Sequence, residues 1–129
     1  MRFFLDNNMS PKIAKALHEL CKEQNHVVCL RDMFSPATPD VEWISALSED
    51  QENEWVVITL DRKIRRNPHE EEVWREAGLP TYFLTKGWSK LRFWDQARNF
   101  VKLWPSLLEH AARAEEGSSY RVTQNCKIE

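Results

Sequence analysis

Met1-Arg2-Phe3-Phe4-Leu5-Asp6-Asn7-Asn8-Met9-Ser10-Pro11 opens the chain and runs into Lys12-Ile13-Ala14-Lys15-Ala16-Leu17. An apolar run of strand length, Phe3 to Leu5, ends abruptly in Asp6. Ser10 stands where a helix N-cap belongs, with Pro11 at the first helical position, where its missing N–H costs nothing. The stretch therefore reads as strand, turn, helix. In an open parallel sheet, ligands bind outside the carboxyl ends of the strands. Asp6 occupies such an end, with Asn7 and Asn8 beside it. Taken alone, Asp6 is as readily a turn residue, because Asp and Asn favour turns. Other carboxylates folding back to the same edge decide the matter.

Outward from this stretch, Ile13, Ala16, Leu17, Leu20 and Cys21 follow the spacing of an amphipathic helix with its apolar side inward. His26 to Leu30 reads as a second buried strand, and Arg31 to Pro36 as a loop. Thr38-Pro39 announces another helix, Thr38 as N-cap, with Val41, Ile44, Ala46 and Leu47 inward and an acidic end from Ser48 to Glu54. Trp55-Val56-Val57-Ile58-Thr59-Leu60 is nearly continuous, β-branched and apolar, as a central parallel strand should be, and it too ends in a carboxylate, Asp61. The basic segment Arg62-Lys63-Ile64-Arg65-Arg66 follows. Pro68 opens a further helix with Glu70, Glu71 and Glu72 near its positive end, and Gly78 stops it. Pro80 to Leu84 reads as a fourth strand. From Ser89 a long helical pattern includes Trp94, Phe100, Trp104 and Leu107, and Pro105 should kink or split it. Strand and helix alternate from residue 2 to about 115. That alternation predicts an α/β fold, a three-layer, doubly wound, mostly parallel sheet, with residues 116–129 as a tail or short extra strand.

The 129 residues are 42% apolar with six Trp and six Phe, which argues for one globular domain and against disorder. The formal charge of −2 excludes an overall attraction to nucleic acid or membrane, so any such affinity must come from a local patch. No apolar run approaches the roughly 20 residues that span a bilayer, and the opening is too short for a secretory signal. Three cysteines (Cys21, Cys29, Cys126) without close pairing suggest reduced thiols and a cytoplasmic location. The four histidines are too scattered for a zinc site.

In the expected architecture Asp6 and Asp61 end two strands, and Asp40 begins a helix on the same edge. Like charges brought together need compensation. A hard divalent cation, Mg2+ or Mn2+, supplies it, taking carboxylate oxygens and activating water for attack on a phosphodiester. Alone, Asp40 is more simply a partner for the helix dipole, and only the coincidence of three acids raises metal binding above that. Glu42 is a reserve ligand. Arg62, Lys63, Arg65, Arg66 and, at the next strand's end, Lys86 are candidates to hold phosphates on that edge. Trp43, Trp74, Trp94 and Trp104 fall on helical faces and read as core. Trp88, beside Lys86, reads as the tryptophan for RNA or partner contact.

Leu5-Asp6-Asn7-Asn8-Met9-Ser10, Thr38-Pro39-Asp40-Val41-Glu42-Trp43-Ile44 and Val57-Ile58-Thr59-Leu60-Asp61 together resemble the PIN-like domains related to VapC-type toxins, small α/β ribonucleases of toxin–antitoxin pairs. The resemblance covers most of residues 1 to about 110. It implies a Mg2+- or Mn2+-dependent endoribonuclease acting on RNA and neutralised by a cognate antitoxin protein. It also implies that Asp6, Asp40 and Asp61 hold the metal, with Asn8 and Thr59 supporting them through hydrogen bonds. Two positions depart from the pattern. Lys63 stands where relatives often carry a further acid, and Asn7 where they often carry Glu, so one metal, or a weakened site, is the expectation. Lys63 also favours the alternative of a non-catalytic PIN-like module that binds RNA or protein. A receiver domain with Asp61 as phosphoacceptor would want an acidic pair after the first strand, where Asn7-Asn8 supplies amides. The acidic stretch and the final helix are candidate surfaces for an antitoxin or a homodimer.

Overall fold

A computed structural model describes residues 1–6, 8–60 and 68–129. Five strands form one sheet: β1 (Arg2–Leu5), β2 (His26–Cys29), β3 (Trp55–Leu60), β4 (Thr81–Leu84) and β5 (Ser119–Val122). Their order is β2-β1-β3-β4-β5, and every pairing is parallel. The helices are α1 (Pro11–Cys21), the one-turn α2 (Leu30–Met33), α3 (Asp40–Glu49), α4 (Pro68–Ala77) and α5 (Phe93–Ala111), with a 3-10 helix at Lys86–Lys90.

The three central strands, β1, β3 and β4, are buried on both faces, and their alternation divides the core in two. Phe3, Leu5, Val56, Ile58, Tyr82 and Leu84 point to one side, where they meet Ile13 and Leu17 of α1 and Leu103, Trp104 and Leu107 of α5. Phe4, Trp55, Val57 and Phe83 point to the other, against Trp43, Ile44 and Leu47 of α3 and Trp74 of α4. A period of two in the strands thus feeds two helical layers, the three-layer arrangement expected of nearly continuous apolar strands.

Ser10 caps α1 as its spacing predicts: its hydroxyl accepts from the Lys12 N–H at 3.2 Å, and Pro11 begins the helix. Gly78 follows α4 with φ +70°, the left-handed geometry that lets a glycine stop a helix without strain. Residues 119–122 form β5, an edge strand paired to β4, and the chain then folds back in an antiparallel bridge between Val122 and Ile128.

Other local expectations are corrected. Leu30 leaves β2 and starts α2, turning part of the expected loop into one helical turn. Pro39 and not Thr38 is the N-cap of α3, because the Pro39 carbonyl accepts from the Glu42 and Trp43 amides. The buried stripe of α1 is Ile13, Ala14 and Leu17, while Ala16 and Leu20 face outward. This helix docks on both β2 and α5, so two neighbours and not the mean apolar direction choose the stripe. Ala46 likewise lies outside, on the solvent side of α3.

Helix α5 runs unbroken through Pro105. Pro105 is exposed, and so is Val101, whose carbonyl loses the donor that proline lacks; water can serve that carbonyl. Trp88 and Trp94 exchange their expected environments. Trp88 is 1% exposed and donates its indole N–H to the Val122 carbonyl at 3.0 Å, tying the 3-10 helix to β5. Trp94 is 80% exposed.

Part of the acidic stretch before β3 is structural. The Asp50 carboxylate accepts from the Asn53 amide at 2.9 Å and the Trp55 indole at 2.8 Å, and these bonds hold its pKa below the usual range. Among the described residues no helix is long and apolar enough to cross a membrane.

Candidate active site

The strand order places a topological switch point between β1 and β3. From β1 the chain crosses to β2 on one side, then returns to β3 on the other. Crossovers that diverge in this way leave a crevice at the carboxyl ends of the two central strands. Asp6 stands in that crevice. Leu5 pairs in register with Ile58, so Asp6 comes level with Thr59, and the Asp6 N–H donates to the Ile58 carbonyl at 3.3 Å.

Asp6 is 3% exposed and Thr59 fully buried. A carboxyl group so placed needs partners, and Thr59 and Asn8 are two of them. The Thr59 hydroxyl donates to Oδ2. On the other oxygen, Oδ1, the Asn8 backbone N–H donates at 3.0 Å and its side-chain amide at 3.4 Å. The Asp6 carbonyl accepts from the Met9 N–H at 3.1 Å, closing the tight turn that lets α1 begin. These bonds fix the orientation of the carboxyl group. Alternation along the strands sends Asp6 and Thr59 to the face carrying Phe4 and Val57, the side covered by α3.

Asp40 is the first residue of α3 and is half-buried. This helix runs from the carboxyl edge of the sheet back toward the start of β3, so Asp40 shares both face and edge with Asp6. Its Oδ1 accepts the Trp43 indole N–H at 2.9 Å. Trp43 is fully buried and packs its ring on Phe4 with centroids 4.8 Å apart, two residues before Asp6. From the sequence Trp43 reads only as core. Its spacing of three from Asp40 was the signal available, since residues three apart on a helix are neighbours.

Glu42 is exposed in the first turn of α3, where its charge complements the helix dipole. Lys86 is exposed at the start of the 3-10 helix, just past β4 and on the same edge as Asp6. Asp61 follows Leu60 directly in sequence, and with Arg62, Lys63, Arg65 and Arg66 it lies outside the described residues, as does Asn7. Among the described residues, no three His, Cys, Asp or Glu side chains come together as a metal-holding group. The described share of the candidate site is therefore Asp6 and Asp40 with Thr59, Asn8 and Trp43. Beside it a cavity of about 230 Å³ opens among Asn8, Met9, Leu60, Leu84, Trp88 and Phe100.

A buried, oriented carboxyl group at the switch point makes that edge the candidate site. The chain belongs to the PIN-like domain family, whose model matches residues 1–86. This is a nuclease-type fold, and its members are often nucleases. No curated protein and no solved structure gives a significant match to the chain.

The bond between Thr59 and Asp6 makes a direct prediction. Thr59→Val removes the hydroxyl and leaves a buried carboxylate oxygen short of a donor, at a cost of about 1–3 kcal/mol in urea unfolding. Thr59→Ser keeps the donor and should retain most of that stability. Equal stability of the Val and Ser variants would show that the bond contributes nothing.

Proposed function

We propose that this PIN-like domain is a metal-dependent endoribonuclease in which Asp6, Asp40 and Asp61 hold Mg2+ or Mn2+. The observation that carries the reading is Asp6 itself: a carboxyl group buried at the switch point, with Thr59 donating to one oxygen and Asn8 to the other. Carboxylate oxygens are the donors that hard divalent cations prefer. A cation so held supplies charge neutralisation and Lewis acidity for hydrolysis of a phosphodiester. Thr59 and Asn8 keep Asp6 in one orientation, and Trp43 does the same for Asp40. Arg62, Lys63, Arg65, Arg66 and Lys86 are assigned to the phosphates of the RNA substrate.

The finer part of the proposal is a cytoplasmic toxin paired with a cognate antitoxin protein, supported by the sequence resemblance and by three free thiols. A homodimer belongs to the same reading. Lys63, standing where an additional acid is common, favours one second reading: a PIN-like module that binds RNA or protein without cutting.

Cleavage of a mixed RNA pool by the full chain separates the two. In the nuclease reading, millimolar Mn2+ or Mg2+ supports cutting, EDTA stops it, and added metal restores it. Calorimetric titration then tells whether Lys63 leaves room for one ion or two. A folded chain that binds neither cation at millimolar concentration and leaves the pool intact overturns the enzyme reading in favour of the binding module.

A further inference from the structure

Five of the six tryptophans are at most 8% exposed, and the sixth, Trp94, is 80% exposed. It stands in the first turn of α5, which enters from the 3-10 helix at the end of β4, so it lies on the same edge of the sheet as Asp6. Phe93, 41% exposed, meets it edge to face with centroids 5.5 Å apart. Leaving so large an aromatic surface in water sacrifices the burial the other five enjoy, and packing within this chain does not account for it.

Charge says what would cover it. Between residues 85 and 108 the chain carries five cations, Lys86, Lys90, Arg92, Arg98 and Lys102, against one acid, Asp95, although its overall charge is −2. All five cations are exposed. Arg98 and Lys102 follow Trp94 at spacings of four and eight, so the three form one stripe along α5, about 12 Å long at 1.5 Å per residue. Asp95 sits 3.6 Å from Arg98, an exposed pair that solvent weakens. An aromatic face flanked by cations suits an unpaired nucleic-acid strand, which offers π-faces and phosphates together. A protein partner that was chiefly apolar would leave those five charges without counterparts.

We propose that the outer face of α5 is a platform for single-stranded RNA, with a base stacked on Trp94 and backbone phosphates held by Arg98 and Lys102. Lys90 and Arg92 extend the positive surface toward the edge that carries Asp6. The platform lies beyond the family match at residues 1–86 and is separate from the carboxylates. It deepens the nuclease reading by assigning a place where substrate is held, and its binding test does not depend on cleavage.

Fluorescence anisotropy of a labelled oligouridylate, measured with the full chain in EDTA, tests it. Trp94→Ala should weaken binding about tenfold, within the range for loss of one stacked base. Trp94→Tyr should restore most of it. The double variant Arg98→Ala and Lys102→Ala should flatten the dependence of affinity on salt. Acrylamide quenching of the exposed tryptophan should fall when the oligouridylate binds. If wild type cuts no RNA while Trp94→Ala still weakens binding, the nuclease reading fails and the platform stands. Unchanged affinity in a folded Trp94→Ala variant overturns the platform. So does sedimentation showing that wild type is a dimer and Trp94→Ala a monomer, which would make the face a protein contact.

Discussion

Asp6→Asn should cut RNA at least about a hundredfold more slowly than wild type while remaining folded. Losing a group that merely orients a metal ligand costs about 10–100-fold in affinity or activity, and removal of a proposed ligand should exceed that. The substitution keeps shape and volume. Its new amide can still accept the Asn8 N–H through oxygen and can donate to the Thr59 hydroxyl, which is able to accept. The turn closed by the Asp6 carbonyl and the Met9 N–H is untouched. What disappears is the negative charge. Calorimetry should therefore show Mn2+ binding lost or greatly weakened, with unfolding by urea little changed. An Asp6→Asn variant that cuts RNA at the wild-type rate would remove Asp6 from the chemistry and leave its burial a matter of turn geometry.

Trp43→Ala should be the most damaging change to the fold, destabilising it by about 3–5 kcal/mol, the usual range for emptying a buried aromatic site. Trp43 is fully buried, with its ring on Phe4 at 4.8 Å and edge-on to Trp74 at 5.6 Å. One substitution thus loosens β1, α3 and α4 together. Trp43→Phe separates packing from positioning. It keeps most of the ring contact but removes the N–H that holds the Asp40 carboxylate, so stability should fall much less. Metal affinity should drop by about 10–100-fold, as when a positioning partner is lost. If the Phe variant binds metal as wild type does, the indole N–H is only a satisfied core donor, and Asp40 needs no help to reach its place.

Three of the strands, β1, β3 and β4, were legible because each ends at a chemical boundary: Leu5 against Asp6, Leu60 against Asp61, Leu84 against the polar turn. The start of α1 was legible for a similar reason, since Ser10 and Pro11 act within one turn of each other. Where sequence reading failed, the deciding forces were not local. Nothing near Trp88 or Trp94 distinguishes the two indoles; Trp88 is buried because β5, more than thirty residues later, brings the Val122 carbonyl to its N–H. Pro105 should have broken α5 by its local chemistry, yet the weakened turn faces water, where a lost hydrogen bond is replaced.

By itself the sequence determined the alternation of strand and helix, the parallel sheet it implies, the capping of α1 and the PIN-like family. Each of these rests on residue types and short spacings. The resemblance already pointed to Thr59 and Asn8 as hydrogen-bond partners of the acids, whereas tertiary structure alone decided that Asp6 is buried, that Asp40 is tied to Trp43, and that Trp94 is left in water. Those outcomes depend on strand order and on which face a side chain meets. Order and facing are set by packing among elements far apart in the chain, and no window of neighbouring residues contains them.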